Sequence, residues 1–313
     1  MKNTIIKYLI FTGIILFSIK GMSQQDPLYT QYMYNMSVIN PAYATDNPGM
    51  LNLGGIYRSQ WVGIDGAPKT ASFFAHTPLS ERVEVGLSIV HDEIGDIIKE
   101  NNITADFAYV LPLDENNNKL SFGIKGGLTT FDGDLTRLET NQPNDPAFQN
   151  ISELFPVFGV GAFWFGDNHY LGLSAPNLFT AKHLENEQGL RGLGEENIHY
   201  FLTGGYVFDL NPDFKLKPAF MARGVQGAPL SVDITANVLM FNRLEAGVGY
   251  RFGDSVTGLV NFAVTPGLRV GYAYDYTTSN LSNYNDGTHE FLLLFDLDMF
   301  GLSKGYDKSP RFF

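Results

Sequence analysis

From residue 51 onward, large apolar residues alternate with small or polar ones in segments of about ten, each bounded by turn-forming residues. Leu268, Val270, Tyr272, Tyr274 and Tyr276 share one face of such a segment, and Arg269, Gly271, Ala273, Asp275 and Thr277 share the other. The same split sets Leu244, Ala246, Val248, Tyr250 and Phe252 against Arg243, Glu245, Gly247, Gly249 and Arg251. It sets Val83, Val85, Leu87 and Ile89 against Arg82, Glu84, Gly86 and Ser88, and Phe291, Leu293, Phe295 and Leu297 against Glu290, Leu292, Leu294, Asp296 and Asp298. Period two is the signature of a strand with two unlike faces.

This pattern predicts strands near residues 51–61, 69–78, 82–91, 102–111, 119–130, 157–165 and 169–175. Further strands are predicted near 198–208, 213–223, 230–240, 243–252, 256–264, 268–277 and 288–298. The total is about fourteen, an even number, as single-chain bacterial barrels require. A soluble sandwich also alternates, but its inward face is large and apolar, with few small residues. Here the polar face mixes Gly, Ser and Thr with charges of both signs, which suits a lumen. The expected fold is an all-β, transmembrane antiparallel barrel in the cell outer membrane, occupying residues 51–298.

Connections alternate in length. Tight ones are expected at 79–81, 114–118, 166–168, 211–212, 241–242 and 265–267, and long ones at 131–156 and 176–197, with 62–68 and 279–287 between them. Only the short turn at 253–255 is expected to break the rhythm. Short turns mark the periplasmic side, so both ends of the mature chain are expected in the periplasm.

The amino terminus adds a compartment. Lys2 and Lys7 precede an apolar run at residues 8–19, and the small residues near Gly21 and Ser23 offer a cut site, so residues 1–23 read as a secretory signal. The run is short for a spanning helix, which needs about 20 apolar residues. With no cysteine anywhere, a lipid-anchored amino-terminal Cys, disulfides and thiolate metal sites are excluded. The net charge of −12 leaves no basic nucleic-acid footprint.

Two segments lack barrel periodicity. Residues 24–50 form a leader expected on the periplasmic side, rich in Tyr, Asn, Gln and Met, which could plug the lumen or dock a periplasmic partner. Its bulky residues, among them Tyr29, Tyr32, Met33, Tyr34, Met36, Val38 and Ile39, argue against simple disorder. Residues 299–313 form a periplasmic tail.

Enzyme signatures are missing. The histidines are scattered without an HExxH pair, and neither GxSxG nor a Walker loop occurs. Asp132, Gly133 and Asp134 lack EF-hand spacing. No catalytic residue, cofactor or metal is expected. The lumen charges are expected to be Arg58, Asp106, Lys125, Lys215, Lys217, Arg223, Asp233, Arg243, Glu245, Arg251, Arg269, Asp275 and Glu290. They could line a selective pore or pair as struts. Struts are favoured because both signs fall on neighbouring strands and so narrow a bore suits them.

Longer motifs go further. Gln25-Asp26-Pro27-Leu28-Tyr29-Thr30-Gln31-Tyr32-Met33-Tyr34-Asn35, followed by Ile39-Asn40-Pro41-Ala42-Tyr43, resembles the start of the PorP/SprF family of the type IX secretion system in Bacteroidetes. The resemblance continues through Tyr57-Arg58-Ser59-Gln60-Trp61, Gly172-Leu173-Ser174-Ala175-Pro176-Asn177-Leu178, Gly271-Tyr272-Ala273-Tyr274-Asp275-Tyr276 and the ending Ser309-Pro310-Arg311-Phe312-Phe313. It implies an outer-membrane component of protein export, contacting outer-membrane lipid, periplasmic lipoprotein and ring components, and a secreted cargo such as a gliding adhesin. The residues expected to meet partners are Asp26, Pro27, Tyr29, Gln31, Tyr32, Met33, Asn35, Asn40, Pro41, Tyr43, Arg311, Phe312 and Phe313. A passive diffusion channel and a structural envelope anchor are the competing readings.

Overall fold

The computed structural model describes residues 27–45, 49–134, 136, 150–179, 197–226 and 228–299. Residues 1–26, which include the expected signal and Asp26, and the end of the tail with Arg311, Phe312 and Phe313 lie outside them. Fifteen strand segments form one sheet: β1 Met50–Ser59, β2 Lys69–Ser80, β3 Val83–Ile94, β4 Ile98–Pro112, β5 Lys119–Gly133, β6 Ile151–Phe165, β7 His169–Ala175, β8 His199–Tyr206, β9 Phe208–Asn211, β10 Phe214–Val225, β11 Ser231–Met240, β12 Leu244–Arg251, β13 Ser255–Thr265, β14 Leu268–Thr277 and β15 Thr288–Asp298. β8 and β9 both pair with β10 and are one strand interrupted at Val207, whose N–H turns aside to the carbonyl of Asn168. Fourteen antiparallel staves remain. The sheet closes because β15 pairs with β1, from Met50 opposite Asp298 to Ser59 opposite His289.

Closure explains how such a chain can cross a bilayer: every wall strand satisfies its backbone on its neighbours, so no uniformly apolar segment is needed. No helix among the described residues is long and apolar enough to cross a membrane; the crossing is by strands. Phe107, Phe122, Leu173, Ile234, Val260, Phe291 and Leu293 point outward, while Glu84, Asp106, Lys125, Glu245, Asp275 and Glu290 point inward and are buried.

The turns β2–β3, β4–β5, β6–β7, β9–β10, β11–β12 and β13–β14 lie at one end with Met50 and Asp298, as the alternation predicts, while the short turns β3–β4 and β12–β13 lie at the other. At the Asp114–Asn118 turn the Asp114 carboxylate accepts the Asn118 side-chain amide and the backbone N–H groups of Asn118 and Asn116. These bonds, the Asn118 side chain first, hold it below the usual carboxylate range.

Three expectations change. Residues 92–101, left between two expected strands, belong mostly to strands themselves: β3 and β4 continue to the pair Ile94 and Ile98, joined by a tight turn at Gly95. Below the isoleucines of the tip, residues 91–93 and 99–102 are polar on both faces, with Lys99 2.9 Å from Glu93, so this stretch carries no apolar alternation to betray it. Likewise β6 begins at Ile151, six residues earlier than expected, and runs through Pro156. Among the described residues β6 pairs with β7 only from Val160 onward, so a proline without an N–H is tolerated where a single neighbour is bonded.

The third change concerns the leader. Of its two readings, plug and periplasmic docking arm, the plug fits: residues 27–45 lie inside the barrel instead of beneath it, and Gln31, Asn35, Ala42 and Ala44 are fully buried. Pro27 and Leu28 border Gln60, Trp61 and Phe252, at the end opposite to Met50 and Asp298. Aromatic and methionine side chains so close in sequence need cover from water, and the lumen supplies it.

Candidate functional site

The leader descends from Pro27 to a single 3-10 turn at Tyr32–Tyr34, turns back through a one-turn helix at Met36–Ile39, and descends again to Thr45. The helix stops there because Pro41 disfavours helical geometry at the residue before it, and Asn40 is extended. The Asn40 side-chain oxygen then accepts the N–H of Ala42 at 2.9 Å, fixing the bend.

Wall charges grip this path at four levels. Near the end lined by Pro27, the Glu290 carboxylate accepts the backbone N–H groups of Thr30 at 2.8 Å and Gln31 at 2.7 Å. Arg58 donates to Glu290 at 3.0 Å and to Asp275 at 2.9 Å, and Asp275 also accepts the hydroxyls of Thr30 at 2.6 Å and Thr257 at 2.7 Å. Nearer the tight-turn end, the Tyr34 hydroxyl donates to Glu245, which also accepts from Asn237 at 2.7 Å, Asn261 at 3.2 Å and Arg269 at 3.1 Å. The Lys217 ammonium lies 5.3 Å and the Arg269 guanidinium 5.9 Å from the centre of the Tyr34 ring, a cation–π bracket.

At mid-height Lys125, which is 3.5 Å from Asp106, donates to the carbonyls of Val38 at 2.9 Å and Ser37 at 3.3 Å, the end of the short helix where partial negative charge collects. The Ser174 hydroxyl donates to the Ile39 carbonyl at 2.9 Å, and the Asn40 amide donates to the Ala162 carbonyl at 3.1 Å. At the last level Glu84 accepts the hydroxyl of Thr45 at 3.0 Å and also its N–H, and pairs with His76 at 3.0 Å. A buried ion is tolerable only when its remaining hydrogen-bonding positions are filled, and here the leader backbone fills several of them.

Apolar contact completes the fit. Ile56, Phe74, Val110, Phe163, Phe201, Met221, Leu292 and Leu294 face inward and form one buried cluster with Tyr29, Tyr32, Met33, Met36, Ile39 and Tyr43. The Tyr43 ring meets Phe163 edge-on at 5.6 Å and His76 at 5.1 Å. Two wall glycines allow close approach: a side chain at Gly123 would overlap the Pro41 carbonyl, and one at Gly161 would overlap the Asn40 side chain.

Of the expected lumen charges, Arg58, Asp106, Lys125, Lys217, Arg223, Asp233, Glu245, Arg251, Asp275 and Glu290 are buried, and Arg269 pairs with Glu245. Arg251 is 2.6 Å from Asp233 and 3.2 Å from Asp254. Two others lie at the rim. Lys215 pairs with the exposed Asp209 at 3.1 Å. Arg243 stays out of the lumen: it is exposed in the β11–β12 turn, with its guanidinium over the outward-facing Phe262 and donating to the Val264 carbonyl. A turn residue escapes the parity of the strand that follows it, which is why alternation misplaced it. Tyr29, Gln31, Tyr32, Met33, Asn35, Asn40 and Tyr43, expected to meet partners, spend their surfaces on the wall.

Glu84, His76, Ser174 and the two glycines were not singled out beforehand. Leu292 and Leu294 carried a signal, since two leucines on the same face as Glu290 and Asp296 make poor walls for water. Among the described residues no three His, Asp or Glu gather as metal ligands.

The sequence profile described as "Type IX secretion system membrane protein PorP/SprF" matches residues 21–295. No curated protein matches the chain. Among solved structures, a FadL homologue of Pseudomonas aeruginosa is 13% identical, with a TM-score of 0.51 over 90% of this chain and 96% of that one. The outer membrane protein Omp33 of Acinetobacter baumannii is 10% identical, with a TM-score of 0.45 over 79% of this chain and 97% of its own. The first likeness is one of fold.

Proposed function

The chain belongs to the PorP/SprF family of type IX secretion system membrane proteins, an outer-membrane β-barrel family, and from that premise we propose that it is a closed, non-catalytic interaction barrel of the secretion machinery. Cargo is engaged by the long-loop end, periplasmic lipoprotein or ring components by the tight-turn end and residues 299–313, including Arg311, Phe312 and Phe313. The observation that carries this reading is the occupied lumen: leader residues 27–45 are gripped by Arg58, Lys125, Glu84, Glu245, Asp275 and Glu290, and a bore so filled is poor at conducting solutes.

Two measurements test it. In planar bilayers the purified protein should pass little current, and a variant lacking residues 27–45 should pass more. Affinity purification from intact envelopes should recover a secreted protein together with periplasmic components, with loss of the latter when residues 299–313 are removed. Steady porin-like current from the unaltered chain, or recovery of neither class of partner, would overturn the reading in favour of a diffusion channel.

A further inference from the structure

We propose that the chain threads its own lumen, so that Pro27 stands at the cell-surface mouth while Met50 and Asp298 stand at the periplasmic mouth. Two ends of the path fix this. Thr45 is tied to Glu84, two residues after the tight Glu81-Arg82 turn, and Met50 pairs with Asp298 at the same end. Pro27 and Leu28 instead line a cavity of about 530 Å³ with Trp61, Arg223, Leu230 and Phe252. Arg223 lies at the end of β10, Trp61 and Phe252 lie at the starts of the β1–β2 and β12–β13 connections, and Leu230 lies in the link into β11, all at the long-loop end.

Intermediate contacts trace the path down, back to mid-height and down again. Thr30 meets Asp275 and Glu290 in the outer half of the wall, Tyr34 meets Glu245 beside the tight β11–β12 turn, Val38 returns to Lys125, and Thr45 reaches Glu84. Length permits such a path: from residue 27 to 45 an extended chain reaches about 60 Å, more than twice an apolar band of about 25 Å, which leaves room for the reversal at Met36–Ile39. Nothing in this depends on cargo or periplasmic partners. It does require that the apolar segment at residues 8–19 be removed, since a tether in the inner membrane cannot reach the outer mouth.

The consequence is a single covalent strap with one end at each mouth. A pull on Pro27 from outside would load first the buried hydrogen bonds that tie Thr30 and Gln31 to Asp275 and Glu290.

Because the chain has no cysteine, single introduced thiols report unambiguously. A short flexible epitope is inserted between Gln25 and Asp26, and Tyr284→Cys and Asn242→Cys are made separately as markers of the long-loop and tight-turn ends, both being exposed. On intact cells, antibody should bind the epitope and a membrane-impermeant maleimide should label Y284C. N242C should label only after the outer membrane is permeabilised. Each variant is first shown to retain a heat-modifiable barrel on gels. An epitope that antibody cannot reach on intact cells overturns the proposal, whether or not permeabilisation exposes it. Exchange of the two markers overturns the orientation, and the surface placement with it.

Discussion

The guanidinium of Arg58 on β1 lies 2.9 Å from the carboxylate of Asp275 on β14, two staves away, and both side chains are buried. Arg58 also reaches Glu290 on the strand between, so three successive staves share one charge cluster that holds the backbone of Thr30 and Gln31. The cluster belongs to the wall and the leader at once.

Removing one partner should therefore loosen both. Arg58→Ala leaves Asp275 and Glu290 as facing buried carboxylates, a loss of about 3–5 kcal/mol. The expected result is a lower temperature for the heat-modifiability transition and protease cleavage within residues 27–45. An R58A protein with an unchanged transition and a protected leader would show that the cluster is not what holds the strap.

Close approach gives a sharper comparison. Gly123→Ala should push the Pro41 carbonyl away and cost about 1–3 kcal/mol, while Gly126→Ala, where a methyl meets no neighbour within 4 Å, should be near neutral. Bilayer conductance is the readout, with raised current for G123A alone. Equal behaviour of the two would mean that residue 41 does not touch β5.

Lys125 and Asp106 should couple. Lys125→Met strands a buried carboxylate and frees the Ser37 and Val38 carbonyls, whereas the K125M/D106N double variant strands no charge. A double-mutant cycle should give a coupling of about 1–3 kcal/mol, measured as denaturant midpoints in detergent. Additive effects would place the two side chains out of contact.

Neighbouring leucines on β15 separate lipid from lumen. Leu293→Arg should block membrane assembly, since arginine on the lipid face costs about 2–4 kcal/mol at mid-bilayer. Leu292→Ala should assemble but lose about 2–5 kcal/mol from the cavity left against the leader, seen as a lower unfolding temperature. Reversed outcomes would turn the barrel inside out.

The alternation of residues such as Leu244 through Phe252 was enough to define the staves, the two faces of the wall and which turns are tight. Each of those is settled within a few residues by the pleat, and the local pattern is complete without the rest of the chain. The extension of β3 and β4 to Ile94 and Ile98 was hidden because residues 91–93 and 99–102 are polar on both faces and leave no two-faced pattern to read.

The leader is the opposite case. Its aromatic density showed that it wanted cover, yet plug and docking arm are indistinguishable in sequence. What separates them is that Thr30 finds Glu290, Tyr34 finds Glu245 and Thr45 finds Glu84, partners 260, 211 and 39 residues away. Only a closed wall brings those carboxylates to one axis. The chain by itself determined a barrel; its closure decided that residues 27–45 fill it, because a buried carboxylate and an unpaired backbone N–H are each costly alone and satisfied together.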